Sequence, residues 1–182
     1  MSIGMKRGTV YLEPHQTEWE GAAEETIRTL KNILGNSAAD IQHIGSTSIR
    51  TISAKPIIDI AVAVNDYELI LSKRDVLENA DIIFRFDERP EQLLFVMGDF
   101  EKDTRSHHIH VVIYGSDGWN NYINFRDYLN SNIEAAREYE AVKLRLAKQY
   151  SDDRIAYTDG KQEVIDKLLA EARAWKSKQL FE

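Results

Sequence analysis

Cysteine is missing altogether from the 182 residues. That absence removes disulfides, thiolate nucleophiles and thiolate metal ligands together, so any metal must be held by oxygen and nitrogen, and a reducing compartment fits. Proline is scarce as well. Pro14, Pro56 and Pro90 each read as a local boundary, and no Pro/Gly/Ser-rich linker or internal repeat divides the chain. No apolar run approaches the roughly 18 residues a membrane helix needs, and Met1 to Thr9 lacks the apolar stretch of a signal peptide. The expectation is a cytoplasmic, soluble chain with no membrane partner, folded as one domain over 1–182. Nor is there a surplus of positive charge: the net charge of −7 argues against binding long nucleic acids along their phosphates. A small polyanion makes a lighter demand, since two or three local cations and some backbone N–H groups suffice.

What is present is 43% hydrophobic and 29% charged, enough to build a core without staples. Thr17-Glu18-Trp19-Glu20 reads as a capping box, followed by Trp19, Ala22, Ala23, Ile27, Leu30 and Leu34 at helical spacing and a stop at Gly35. Asp40 to Ile44 reads as a short strand. Ile57 to Val64 is almost continuously apolar and branched, hence a strand covered on both faces. Asp66 is placed to cap a helix running to about Ala80. Strands at Ile82–Phe86 and Leu93–Met97 flank a turn at Pro90, and His107–Ile113 is the last strand, after a break at Gly98-Asp99.

From Asp117 the pattern is helical, in three segments at about 118–131, 133–150 and 159–178. The predicted class is therefore α/β (α+β): a mixed sheet of four to five strands within about 10–115, with flanking helices and a helical tail, about 116–182, packed on it. The tail's stripes, Ala135-Tyr139-Val142-Leu146 and Ile165-Leu168-Ala172-Trp175, read as packing faces, with a docking surface for a partner as the alternative.

The most informative stretch is His43-Ile44-Gly45-Ser46-Thr47-Ser48, followed after 12 intervening residues from Ser46 by Asp59. A strand ends in Gly45, where the backbone can turn freely and come close to a ligand. The hydroxyl residues Ser46, Thr47 and Ser48 follow, and donors converging at such a turn suit phosphate oxygens. Asp59 sits within an apolar strand, where an ionised carboxylate needs a partner. Mg²⁺ or Mn²⁺ held by Asp59 could bridge to a triphosphate on the turn. His108 and His110 project from one strand face and are candidate metal ligands, with His110 also a candidate base. A cluster of this kind also suits Zn²⁺. Arg126 lies near the centre of the stripe Trp119, Tyr122, Ile123, Leu129 and requires an anion: Asp59, a nucleotide phosphate, or an ordinary ion pair with Asp99 or Glu101. Lys55 and Arg105 flank the motif strands and could neutralise a triphosphate.

These residues resemble the signature of the GrpB-like family, a branch of the nucleotidyltransferase superfamily, whose pattern is an apolar residue, Gly, then Gly or Ser, a spacer of roughly ten residues and an apolar-flanked acid pair. The resemblance continues in Glu13-Pro14 to Trp19, His108-Ile109-His110-Val111, Phe125-Arg126-Asp127-Tyr128-Leu129 and Tyr157-Thr158. It implies a nucleotidyltransferase-like fold that binds an NTP with a divalent metal and moves NMP onto a small acceptor of unknown identity. Family members also occur fused to dephospho-CoA kinase. Two departures stand out. Ala61 occupies the place where the superfamily carries a second acid, a loss the GrpB-like branch shares, and Arg50-Thr51 stands where relatives tend to have Pro-Gly. A nucleotide-binding module without transfer activity and a protein-interaction module are the alternatives, and the number of chains in the assembly is not legible.

Overall fold

The computed structural model describes residues 3–85 and 91–179. Its elements run β1 (Met5–Lys6), α1 (Glu18–Leu34), β2 (Asp40–Ile44), β3 (Ile58–Val64), α2 (Glu68–Leu71), α3 (Arg74–Glu78), β4 (Ile83–Arg85), β5 (Leu93–Met97), β6 (Thr104–Arg105), β7 (His107–Ile113), α4 (Asp117–Ser131), α5 (Ile133–Gln149), α6 (Arg154–Gly160) and α7 (Gln162–Gln179). The described residues form a five-stranded sheet in the order β2-β3-β7-β5-β4, while β1 and β6 pair as a separate ribbon. Among the described residues only β3 and β7 pair in parallel, and the segment between them, which holds α2, α3, β4, β5 and β6, supplies the long crossover that parallel pairing requires.

The near-continuous apolar run of β3 is explained by its position inside the sheet. Ile58, Ile60, Val62 and Val64 pack with Trp19, Ala23, Leu30 and Leu34 of α1 and with Phe95, Ile109 and Val111. On the opposite face Ala61 and Ala63 pack with Ile44, Val112 and Trp119 of α4. Further out, α5 and α7 add Ala135, Ala136, Tyr139, Leu168 and Ala172 to a cluster with Ile49 and Ile52. The tail is thus a second layer on the sheet, and its apolar stripes are packing faces. Among the described residues no helix is long and apolar enough to cross a membrane.

Three local expectations are corrected. The capping box does not form: Thr17 has helical backbone angles and makes no side-chain cap, because the Glu20 carboxylate is drawn away to Arg50 (2.9 Å) and lies 3.7 Å from His15. Asp66 does cap, accepting the Glu68 N–H at 3.0 Å, but the helix it starts is broken. Lys73 leaves helical geometry between α2 and α3, and its ammonium donates to the Ile33 carbonyl (3.1 Å) near the end of α1. Among the described residues the tail has four helices rather than three, since Asp153 caps a further helix of about two turns, α6, by accepting the Ala156 N–H at 3.0 Å. The expectations for Phe86 and Pro90 lie outside the described residues.

Candidate anion and metal site

The site follows from the register of three strands. Pairing of β3 with β7 sets Asp59 beside His108 and Ala61 beside His110. Alternate residues of a strand share a face, so Asp59, His108 and His110 all project to the side away from α1. His108 Nδ1 lies 3.1 Å and His110 Nε2 3.6 Å from Asp59 Oδ1. His107 points the other way and is buried against Thr26 and Ser106. From the other side β2 delivers Gly45 next to Asp59, one residue past the Ile44–Asp59 pair. Gly45 has φ +71°, and a Cβ there would come within 2.8 Å of the Asp59 Cβ. Only glycine lets the chain turn this close to the carboxylate. Ser46–Ser48 then forms a single 3₁₀ turn, whose first N–H groups have no partner within the turn.

A cavity of about 250 Å³ stands over this cluster. The sheet side contributes Gly45, Ser46, Lys55, Asp59, His108 and His110, and the tail contributes Tyr139, Lys143, Arg154, Tyr157, Thr158 and Lys161. Lys143 is 1% exposed, donates to the Ser53 carbonyl at 2.6 Å, and lies 4.7 Å from the centre of the Tyr139 ring. Lys55 and Lys161 lie 5.2 and 4.7 Å from the centre of the Tyr157 ring. Tyr139, buried and pushed up to about 12, keeps its proton and is hydrogen-bonded to Ser46.

The charges act on one another. Burial, then Lys161 and Arg154, bring Lys55 down to about 7; burial and Lys161 bring Lys143 to about 7 as well. Burial also lowers Lys161 and Arg154. Burial pushes the Asp59 carboxyl up, but hydrogen bonds from His108 and His110 outweigh it and hold the group well below the usual carboxylate range. His108 is lowered by burial in spite of Asp59, so it is neutral at pH 7. Its tautomer follows from its partners. Arg154 Nη2 can only donate, so at 3.4 Å His108 Nε2 accepts and the Nδ1–H faces Asp59.

Of the residues singled out in the sequence, Gly45, Ser46, Lys55, Asp59, His108 and His110 come together in this cavity. Thr47, Ser48 and Arg126 do not line it. Thr47 is buried with its hydroxyl 2.9 Å from His43 Nε2, and the Ser48 hydroxyl donates to the Gly45 carbonyl at 2.6 Å, so both brace the turn from behind. Arg126 crosses the outer strand β2 rather than β3. It donates to Gln42 Oε1 and the His43 carbonyl (3.0 Å each) and to Asp127 (2.8 Å), meeting neither Asp59 nor Asp99 nor Glu101. Arg105 is buried against the Phe100 ring, outside the Asp59 cavity.

The tail cations were missed. Lys143 carried a signal, because it falls on the apolar stripe between Tyr139 and Leu146, where a lysine needs a reason; Arg154 and Lys161 carried none. As a metal site, the cluster offers one carboxylate oxygen and two imidazole nitrogens within 4.8 Å of one another. The buried His110 Nδ1 has no hydrogen-bond partner among the described residues. A donor set of this kind fits a borderline divalent ion.

A sheet of this order, with the Gly-Ser turn after its edge strand and the carboxylate on the strand beside it, has the nucleotidyltransferase fold. Cid1 poly(U) polymerase bound to MgGTP matches it with a TM-score of 0.51 at 17% identity, over 75% of this chain and 43% of that one. More narrowly, the chain belongs to the GrpB family, whose profile, described as GrpB protein, matches residues 9–171. The glutamate-rich protein GrpB of Alkalihalophilus pseudofirmus is 37% identical over 172 residues, spanning 93% of this chain and 99% of the relative. The crystal structure of the conserved protein GrpB from Enterococcus faecalis matches with a TM-score of 0.83 and 28% identity, over 94% of this chain and 100% of that one.

Proposed function

We propose that the cavity binds the phosphates of a nucleoside triphosphate beside a divalent cation, and that the protein transfers the nucleotidyl group to a small acceptor. The observation that carries this reading is the convergence of Lys55, Lys143, Arg154 and Lys161 on the Asp59-His108-His110 cluster in one cavity. Four basic side chains around a single carboxylate, two of them about half protonated at pH 7, form a site short of negative charge, which a polyphosphate supplies. At about 250 Å³ the cavity suits phosphate groups rather than a whole nucleotide, so the nucleoside extends outward. Gly45 and Ser46 bring backbone N–H groups up to the phosphate oxygens. The binding of MgGTP by Cid1, on the same fold, supports the choice of ligand.

Asp59, His108 and His110 would hold the metal, and two imidazoles favour Mn²⁺ over Mg²⁺. Once bound, such an ion would neutralise phosphate charge and polarise the reacting P–O bond. In the transfer, an acceptor hydroxyl oxygen bonds to the α-phosphorus, the bond from that phosphorus to the bridging oxygen breaks, and pyrophosphate leaves. The hydroxyl proton passes to a base, the role assigned to His110 when it is not a ligand. To ligate, His108 Nδ1 would have to lose the proton it turns toward Asp59, with Nε2 taking one up and Arg154 moving off it, and the lysines steady the leaving pyrophosphate.

A second reading, binding without transfer, is favoured by one observation. Ala61, at the place of the missing second acid, is sealed among Ile44, Ala63, Val112 and Trp119. Thermal unfolding with each NTP and Mn²⁺ or Mg²⁺ tests the binding that both readings share: a rise of a few degrees is expected and should vanish in Asp59→Asn. A flat response to all four NTPs with both metals would sink both. Pyrophosphate release from labelled NTP in the presence of an acceptor panel separates them.

A further inference from the structure

His108 and Arg154 line a second, larger cleft of about 740 Å³, so the two cavities meet at these side chains. Arg7, Arg85 and Arg105 also line it, on a chain whose net charge is −7. Arg85 and Arg105 place their guanidinium carbons 5.3 and 4.6 Å from the centre of the same Phe100 ring. Arg105 is further fixed by donating to the Thr104 carbonyl at 2.8 Å. Arg7 and Arg105 share the Asp103 carboxylate, at 3.7 and 3.9 Å. Two acids line the cleft as well, Asp153, which also caps α6, and Asp152, which also accepts the Ser151 hydroxyl at 3.0 Å, and the four arginines Arg7, Arg85, Arg105 and Arg154 outnumber them. Gathering like charges on one wall costs free energy that an anion would offset. Guanidinium forks match phosphate oxygens in pairs. Leu94, Val96 and Ile155 supply apolar lining, and Ile155 is 75% exposed.

We infer that this cleft binds a small phosphorylated organic molecule, its phosphate among Arg7, Arg85 and Arg105 and its carbon skeleton along Leu94, Val96 and Ile155. Its other end then lies toward His108 and Arg154, beside the nucleotide. Naming this molecule the acceptor rests on the nucleotidyl-transfer reading, whereas the binding does not. A cationic acceptor such as an aminoglycoside is repelled by the same wall.

The test is calorimetric titration of the full chain with glycerol 3-phosphate, set against glycerol and glycerate. Saturable binding is expected for the phosphate ester, roughly tenfold weaker for glycerate and absent for glycerol. The double variant Arg7→Ala/Arg85→Ala should weaken it at least about tenfold while keeping the Mn²⁺–NTP thermal response. Lys161→Ala, in the inner cavity, should leave it unchanged. Arg105→Lys keeps the charge, loses the fork, and should weaken it. No saturable binding, equal binding by wild type and the double variant, or loss in Lys161→Ala alone overturns the assignment. So does arginine-dependent capture of a single-stranded oligonucleotide without glycerol 3-phosphate binding. If the NTP response is absent while arginine-dependent binding persists, the nucleotide reading fails and the cleft assignment stands.

Discussion

Consider sulfate binding between pH 7 and pH 9. Sulfate has the shape of a phosphate group and does not titrate in this window, so any pH dependence comes from the protein. Lys55 and Lys143 both lie at about 7 in the free protein. Each is then about half protonated at pH 7 and roughly one part in a hundred protonated at pH 9. A bound dianion stabilises the charged lysine, so binding raises the lysine pKa and takes up protons: about half a proton per contacted lysine at pH 7, and nearly one at pH 9. The dissociation constant should therefore rise about 50-fold from pH 7 to 9 for each lysine engaged. The arginines of the adjoining cleft keep their charge over this range and add a constant background. Calorimetry in buffers of different ionisation enthalpy reads affinity and proton uptake together. Lys143→Met should remove one lysine's share of the slope. The same depressed values make the unfolded chain hold more protons than the folded one from about pH 7 to 10.5, so the free protein should grow more stable as pH rises through that window. A sulfate affinity that stays flat from pH 7 to 9, without proton uptake, would refute the lysine cluster as an anion site.

Other consequences are as direct. Gly45→Ala forces a Cβ against Asp59 at positive φ, and should cost about 2 kcal/mol or more and abolish the metal response, both read by thermal unfolding. Arg126→Ala removes hydrogen bonds to Gln42, His43 and Asp127, and should lower stability by about 1–3 kcal/mol while leaving the NTP response intact. His43 is held at about 4, chiefly by burial, against an ordinary value of 6.5. Between those values the unfolded chain binds more protons at this group, so His43 alone should lower stability by up to about 3 kcal/mol as pH drops from 6.5 to 4, and His107, also held at about 4 by burial, adds to the loss. Urea unfolding across that range should show the loss, and His43→Gln should blunt it.

The sheet was legible because its determinants are local. The doubly covered strand at 58–64 announced itself by apolar residues at both odd and even positions, and the His108/His110 alternation gave the right face. Gly45 and Asp59 were legible as a pair because a tight turn and a strand acid each break the pattern around them. The helix boundaries were less so, because long-range partners decided them: Arg50 took Glu20 from its cap, and Ile33 held Lys73 out of a continuous helix. The cations around Asp59 were hidden for the same reason. Lys143, Arg154 and Lys161 stand 84 or more residues away along the chain, Lys143 on a stripe that reads as plain packing and Arg154 in the gap between two predicted helices. Only tertiary structure turns that packing face into a wall of the cavity.

Because Asp59 belongs to the first third of the chain and its facing cations to the last, a seated polyphosphate would act as a clasp between remote stretches of polypeptide. Global opening would have to tear the clasp apart, so occupancy should slow amide exchange across α5 and α6 as well as beside the strands that carry the acid.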